Sequence, residues 1–254
     1  MRGFILAAGL GTRLRPWTDR VPKPLVEIAG EPLIERAVRQ LAKAGVRDIG
    51  VNLFHLGEQI RDYMGDGQRL GVRLTWFDER PEILGTGGGL KNAEDFLRGG
   101  ESDAFLLVNG DVWHDFDLSG VIAAHRHGGL GTLAMHRTAR RPELHTVGCN
   151  MEGADVGRIA HIGGKPSPQP HEFMAIYTGI AVYGVQVFDW LPAQVQSGLV
   201  SHGLLPAMQA GVEVRWVEPP GAWYDCGTPS EVLRASHHAL SQRSGNLTRS
   251  ALIG

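Results

Sequence analysis

The chain has 254 residues, 43% hydrophobic and 20% charged, with a formal net charge of −2 at pH 7; this is ordinary for a soluble globular protein and excludes a whole-molecule basic field for nucleic acid. No uninterrupted apolar stretch is long enough to span a bilayer, so neither nucleic acid nor membrane is an expected partner. The two cysteines, Cys149 and Cys226, have no metal-ligand spacing and are too few for a disulfide framework, so a reduced, cytoplasmic setting is expected.

Gly3 to Ala8 reads as a short buried strand ended by Gly9. The apolar start is followed, not preceded, by Arg13 and Arg15, the wrong order for a secretory signal. A polar loop, Leu10 to Pro24, leads to Leu33, Ile34, Ala37, Val38 and Leu41 at helical spacing, with Gly45 as the stop. Val46 to Asn52 is the next strand, Gly57 to Met64 a short helix and Val72 to Phe77 a strand. A helix is expected from Lys91 to Leu97 and a strongly apolar strand from Ala104 to Val108. Val121 to His125 reads as helix and Gly131 to Met135 as strand. Such alternation predicts a mostly parallel sheet covered by helices, with ligands beyond the carboxyl ends of its strands.

After about Pro142 the texture changes. Thr146 to Met151, Arg158 to Ile162 and Ile180 to Val185 are short strands between Gly- and Pro-rich turns, which predicts a small antiparallel or mixed extension. Residues 163–170 form a loop. A helix over 201–210, a strand from Val212 to Val217 and a last helix from Pro229 follow, and Ser241 to Gly254 is a polar tail.

Four segments carry chemistry. In the first, Leu6 to Pro16, glycines 9 and 11 directly after a strand let main-chain N–H groups approach a phosphate. Arg13, Arg15 and the proline-flanked Lys23 supply positive charge. A dinucleotide fingerprint would need glycine at Leu14, and a Walker A loop would need a closing Gly-Lys-Ser/Thr. Glycine spacing alone reads equally well as a tight turn. The second segment, Glu82 to Leu90, holds Gly85 and Gly87 to Gly89. The third, Leu106 to Asp111, runs a strand into Asn109-Gly110-Asp111. The fourth, Trp223 to Pro229, ends in Thr228-Pro229, a helix start by capping and by proline at the first helical position.

Taken together, Leu6-Ala7-Ala8-Gly9-x-Gly11-Thr12-Arg13-Leu14-x-Pro16 and Pro22-Lys23-Pro24 resemble the signature of sugar-1-phosphate nucleotidylyltransferases. The other three segments resemble that family's motifs in the same order, from residue 3 to about 235. The resemblance implies an α/β, Rossmann-like nucleotidyltransferase fold. Residues 1–140 would form the nucleotide-binding half and residues 141–240 the sugar-phosphate half. It implies nucleotide binding by Leu6, Ala7, Ala8, Gly9, Gly11, Thr12, Arg13, Lys23, Glu82, Gly87, Gly88 and Asn109, with Glu82 accepting from the base and the glycines admitting its plane. Asp111 and Asp225 would hold Mg2+, an ion that takes oxygen ligands and keeps positions open for phosphate and water. Arg13, Lys23, Asp111 and Asp225 are the implied catalytic set.

On the acceptor side, Lys165 resembles the family's Glu-Lys-Pro lysine, although Gly164 replaces the glutamate. Thr178 and Gly179 match a segment beside the sugar, and Asn150 is a further candidate. The implied partners are a nucleoside triphosphate and a sugar 1-phosphate, bound by a monomer or homodimer. Within the family the chain looks closest to N-acetylmuramate-1-phosphate uridylyltransferases, with mannose- or heptose-1-phosphate guanylyltransferases the near alternative.

Cys226 reads as a small buried hydrophobe. His125 and His127 read as surface residues near a helix end, and His136, His145, His161 and His171 show no zinc spacing. Two other function classes stay open. One is a cytidylyltransferase for a non-sugar phosphate such as phosphocholine, whose cation would need an aromatic cage drawn from Trp113, Tyr177 and Trp223. The other is a non-catalytic sugar-nucleotide-binding regulatory subunit.

Overall fold

The computed structural model describes residues 1–138, 141–144, 146–193 and 195–250. The chain opens with β1 (Arg2–Leu6) and three 3-10 turns, Thr12–Leu14, Trp17–Asp19 and Lys23–Leu25. The short pair β2 (Glu27–Ile28) and β3 (Glu31–Pro32) then leads into α1 (Leu33–Lys43). Next come β4 (Asp48–Leu53), α2 (Gly57–Met64), β5 (Arg73–Asp78), α3 (Gly85–Asn92), α4 (Glu94–Arg98) and β6 (Ala104–Asn109). The second half holds β7 (Val112–His114), α5 (Leu118–Ala124), β8 (Gly131–His136), β9 (Val147–Met151), β10 (Val156–Ile162) and β11 (Phe173–Gly184). It ends with α6 (Leu205–Gln209), β12 (Arg215–Val217), β13 (Trp223–Asp225) and α7 (Pro229–Ser250). Helix α7 thus continues through the start of the polar stretch; residues 251–254 lie outside the described residues. No helix among the described residues is long and apolar enough to cross a membrane.

The main sheet runs β5-β4-β1-β6-β11-β8-β12-β10-β9. Its first four strands are parallel, and the inner three, β4, β1 and β6, are largely buried because both faces are covered. Successive residues alternate between the two cores. Ile5, Leu106 and Val108 face one, while Phe4, Phe105 and Leu107 face the other. The order reverses beside β1, with β4 on one flank and β6 on the other. The loops after β1 and β6 therefore open a crevice at the carboxyl ends, the usual ligand position in such sheets.

A mostly parallel sheet with a small antiparallel extension does not describe the second half. Within the main sheet, among the described residues, four strand pairings are parallel and five are antiparallel. Strand β11 pairs with β9 as well as with β6 and β8, closing β11-β8-β12-β10-β9 into a small barrel. The twelve residues of β11 were legible only from Ile180 onward. Its register on β8 shifts between Tyr177 and Ala181, and the intervening Gly179 sits at φ 78°. That kink interrupts the period-2 pattern and lets one strand pair with β9 before it and β6 after it.

Glycines hid a second element. Helix α3 begins at Gly85, inside a stretch whose glycines each cost about 1 kcal/mol relative to alanine in a helix. Tertiary packing overrides that penalty. The N–H of Gly87 donates to Ser197 O at 2.8 Å, and a Cβ on Gly88 would stand 2.8 Å from Val195 O. The helix must lie this close to residues 195–198.

A separate antiparallel ribbon, β7 with β13, pairs Asp225 with Val112 and Trp223 with His114. Arg36 of α1 pins it, donating to His114 O from Nε at 3.0 Å and Nη2 at 2.6 Å with its guanidinium 4.3 Å from the Trp113 ring centroid. At the ribbon's far end Ala222 N donates to Asp115 Oδ1 at 2.6 Å.

His114 is buried, and neither of its ring nitrogens has a hydrogen-bond partner. Desolvation, helped by the Arg36 charge, pushes its imidazole from 6.5 down to about 3. The unfolded chain takes up this proton near pH 6.5, while the folded chain resists it until about pH 3. Stability therefore falls as pH is lowered through that window, by at most about 1.4 kcal/mol per pH unit from this group. A His114→Phe variant should lose less stability than wild type between about pH 6.5 and about pH 5 in urea unfolding. An unchanged pH slope would refute this.

Candidate active site

The loop after β1 turns at Gly11, at φ 64°. Thr18 holds it, its hydroxyl donating to Gly11 O at 2.8 Å. No side chain caps the Thr12–Leu14 turn, so its leading N–H groups are open to an anion. Leu14 is buried, which anchors the turn while Arg13 stays about half exposed. The Lys23–Leu25 turn follows extended Pro22. It carries Lys23 inward, where the side chain is only 7% exposed.

Two carboxylates meet these cations. Asp111 follows β6 and Asp225 ends β13, and the ribbon places them side by side: Asp225 pairs with Val112, and Cys226 N donates to Asp111 O at 3.2 Å. Lys23 Nζ lies 2.5 Å from Asp111 Oδ2 and 4.0 Å from Asp225 Oδ1. Arg13 Nη1 lies 3.3 Å from Asp225 Oδ2. A Cβ on Gly227 would overlap the Arg13 guanidinium, so the Cys226-Gly227 turn forms its seat. Burial, with Asp111 adding to it, pushes the Cys226 thiol up to about 12. It is a packed hydrophobe, not a nucleophile.

Arg13, Asp111 and Asp225 border a cavity of about 380 Å³, with Lys23 packed behind the two carboxylates. Arg13, Asp111, Asp225 and Asn109 line one side, and Tyr177, Thr178 and Gly179 of β11 another. Asn109 packs on Gly179 so closely that a Cβ there would overlap the Asn109 side chain. Thr178 is buried with its hydroxyl donating to Ala134 O at 2.7 Å, and Trp223 Nε1 donates to Thr178 O at 2.9 Å. Val112, Ile162, Ile176 and Val200 make much of the remaining wall apolar.

Other candidates stand apart. Asn150 lies on β9, its amide donating to Pro170 O at 3.2 Å, and does not border the cavity. Lys165 is exposed on the tight Ile162–Lys165 turn; its neighbour Ile162, not Lys165, borders the cavity. Glu82 is exposed. Gly87 and Gly88 are buried against Ser197 and Val195, so their missing side chains serve packing. Ala7 N–H is already committed to Asn52 Oδ1 at 2.7 Å. Leu6 O accepts from Gly110 N at 2.8 Å, tying the two loops together. Trp113 packs in the core beneath α7, on the opposite side of the ribbon from Val112, so the three candidate aromatics do not assemble into a cage.

Among the histidines, His127 is exposed beside Asp103, while His125 is partly buried against Thr132. His161 and His171 face each other at 3.1 Å, and His145 lies outside the described residues. Asn52 and Glu79 were not singled out from the sequence. The available signal was a polar residue closing each of two strands at the ligand edge.

A divalent metal can be tested against this donor set. Among the described residues no group of three or more His, Cys, Asp or Glu could hold an ion. What remains is two hard carboxylate oxygen donors beside an open cavity. That suits Mg2+, which commonly takes one or two carboxylates and completes its shell with substrate phosphates and water; it does not suit structural zinc.

A family model described as Nucleotidyl transferase matches residues 2–242. A UTP--glucose-1-phosphate uridylyltransferase from Synechocystis sp. is 30% identical over 97% of this chain, which spans only 65% of that relative's length. An N-acetylmuramate alpha-1-phosphate uridylyltransferase from Neisseria meningitidis serogroup B is 32% identical over 90% of this chain and 94% of its own. Among solved structures, a Bacillus anthracis protein described as a glucose-1-phosphate thymidylyltransferase superposes with a TM-score of 0.74. It is 26% identical, covering 94% of this chain and 95% of its own.

Proposed function

This chain belongs to the nucleotidyl transferase family, and from that premise we propose that it transfers a nucleotidyl group from UTP or GTP to a sugar 1-phosphate, with Mg2+, releasing pyrophosphate. The observation that carries the proposal is the meeting of Arg13, Lys23, Asp111 and Asp225, of which Arg13, Asp111 and Asp225 line one cavity. Two cations from one loop and two carboxylates from two other distant segments have no structural need to converge at an open crevice, whereas binding a triphosphate with its metal needs both.

The reaction is an in-line displacement. A phosphate oxygen of the sugar 1-phosphate forms a bond to the α-phosphorus, and the bond from that phosphorus to the bridging oxygen of pyrophosphate breaks. The attacking oxygen is already ionised, so no general base is needed. Arg13 stabilises charge building on the leaving pyrophosphate, and Lys23 orients the phosphates. Asp111 and Asp225 would hold Mg2+, which when bound neutralises the repulsion between the two anions. Thr178 and Gly179 would border the sugar.

The test is pyrophosphate release across a matrix of nucleoside triphosphates and sugar 1-phosphates, with and without Mg2+. Release with UTP or GTP and a sugar 1-phosphate, abolished by a chelator, is expected. Release only with CTP and phosphocholine would select the cytidylyltransferase reading, and binding without release in any pair would select the regulatory one.

A further inference from the structure

We propose that Asn52 and Glu79 form a polarised hydrogen-bond relay that fixes the spacing between the loop after β1 and the loop before α3, making both positioning residues for the nucleoside triphosphate. The proposal rests on the nucleotidyl-transfer reading and deepens it.

The relay crosses three strand ends. Asn52 sits near the end of β4, in register with Leu6 of β1 and Phe77 of β5. Glu79 follows β5 directly, its N–H donating to Leu53 O at 2.9 Å. Ala7 N donates to Asn52 Oδ1 at 2.7 Å, Asn52 Nδ2 donates to Glu79 Oε1 at 2.7 Å, and Leu84 N donates to Glu79 Oε2 at 2.8 Å. Asn52 is 2% exposed and Glu79 4%. Leu84 is held from its other side too, its carbonyl accepting from Ser197 N at 2.9 Å.

The chemistry of each position is forced by its neighbours. The two ends of the relay are backbone N–H groups and can only donate. Residue 79 must therefore accept at both oxygens, which an ionised carboxylate does and a carboxamide cannot. Residue 52 must accept on one side and donate on the other, which asparagine does and aspartate cannot. The arrangement also sets the orientation of the Asn52 amide, since a flip would face its NH2 toward Ala7 N–H. Gly89 leaves the room required: a Cβ there would overlap Glu79 Oε1.

Strand pairing ends at the sheet edge, so it cannot by itself hold two loops beyond that edge at a set distance. The relay does so from beneath the crevice where a nucleotide would lie between them. A buried carboxylate is otherwise a costly choice at this position, and neither Asn52 nor Glu79 borders the cavity beside Asp111.

The experiment compares full-length wild type with Glu79→Gln. Every orientation of the new amide leaves one donor facing a donor, at Leu84, at Asn52 or, after an Asn52 flip, at Ala7. Titration of UTP and of GTP with Mg2+, without sugar phosphate, should show about tenfold weaker binding of whichever nucleotide wild type accepts, the scale of one lost hydrogen bond to a charged group. The KM for that nucleotide should rise in parallel, with kcat and the KM for the sugar 1-phosphate within about twofold. Gly89→Ala, which displaces the carboxylate by crowding, should act in the same direction and serves if Glu79→Gln does not fold. Nucleotide binding equal to wild type overturns the relay alone. So does a rise in both KM values accompanied by a fall in thermal midpoint, which would mark a merely structural role. Wild type that binds neither UTP nor GTP overturns the functional reading and the relay with it.

Discussion

Asp111→Asn and Asp225→Asn are each expected to lower pyrophosphate release by roughly a thousandfold, on the order of 4 kcal/mol of barrier, and to raise the Mg2+ concentration needed for half-maximal rate. The carboxylates sit side by side on the ribbon, and no third acidic or histidine ligand is available among the described residues. Losing either halves the protein's share of the ion's coordination. The two variants should differ in stability. Lys23 is nearly buried, with Asp111 at 2.5 Å and Asp225 at 4.0 Å. Asp111→Asn therefore deprives a buried ammonium of its closest counter-charge and should lower the thermal midpoint more than Asp225→Asn does. Turnover within about tenfold of wild type in either variant, with Mg2+ dependence unchanged, would remove that aspartate from the metal site.

Arg13→Ala should cost on the order of 10²–10³ in turnover, the usual consequence of removing one preorganised charge stabiliser. Its stability cost should be small, because the Arg13–Asp225 pair has an arginine that is 54% exposed and such surface pairs contribute about 0–1 kcal/mol. Arg13→Lys keeps a charge but loses the planar fork that spreads it over two phosphate oxygens, so an intermediate loss is expected. Steady-state rates with a melting curve for each variant separate the effects. Near-normal turnover in Arg13→Ala would end its assignment to the leaving group.

The proposed catalytic quartet could be picked out because each member stands in a short segment with its own local logic: glycines after a strand, a lysine between prolines, a carboxylate at a strand end. The glycines assigned to the nucleobase were less legible. Glycines 87 to 89 suggest a platform for a flat ring, but glycine marks close approach of any kind. Here the approaching groups are Ser197, Val195, Glu79 and Asn52, more than a hundred residues away for the first two. The acceptor residues divided in the same way. Thr178 and Gly179 border the cavity through a kink within one strand, whereas Asn150 and Lys165 lie outside its lining, a placement set by how the barrel strands pair, which no local pattern encodes.

By itself the amino-acid sequence determined the alternating strands and helices of the first half, the carboxyl-end position expected for a ligand and the chemical identity of the candidate site groups. Hydrophobic period and turn chemistry act over a few residues and are written in order along the chain. The closing of β9 onto β11, the ribbon that sets Asp225 beside Asp111, and the Asn52–Glu79 relay belong to tertiary structure alone. Each depends on which strand ends meet across the fold, and that is decided by burying two cores at once, not by any segment's own preference.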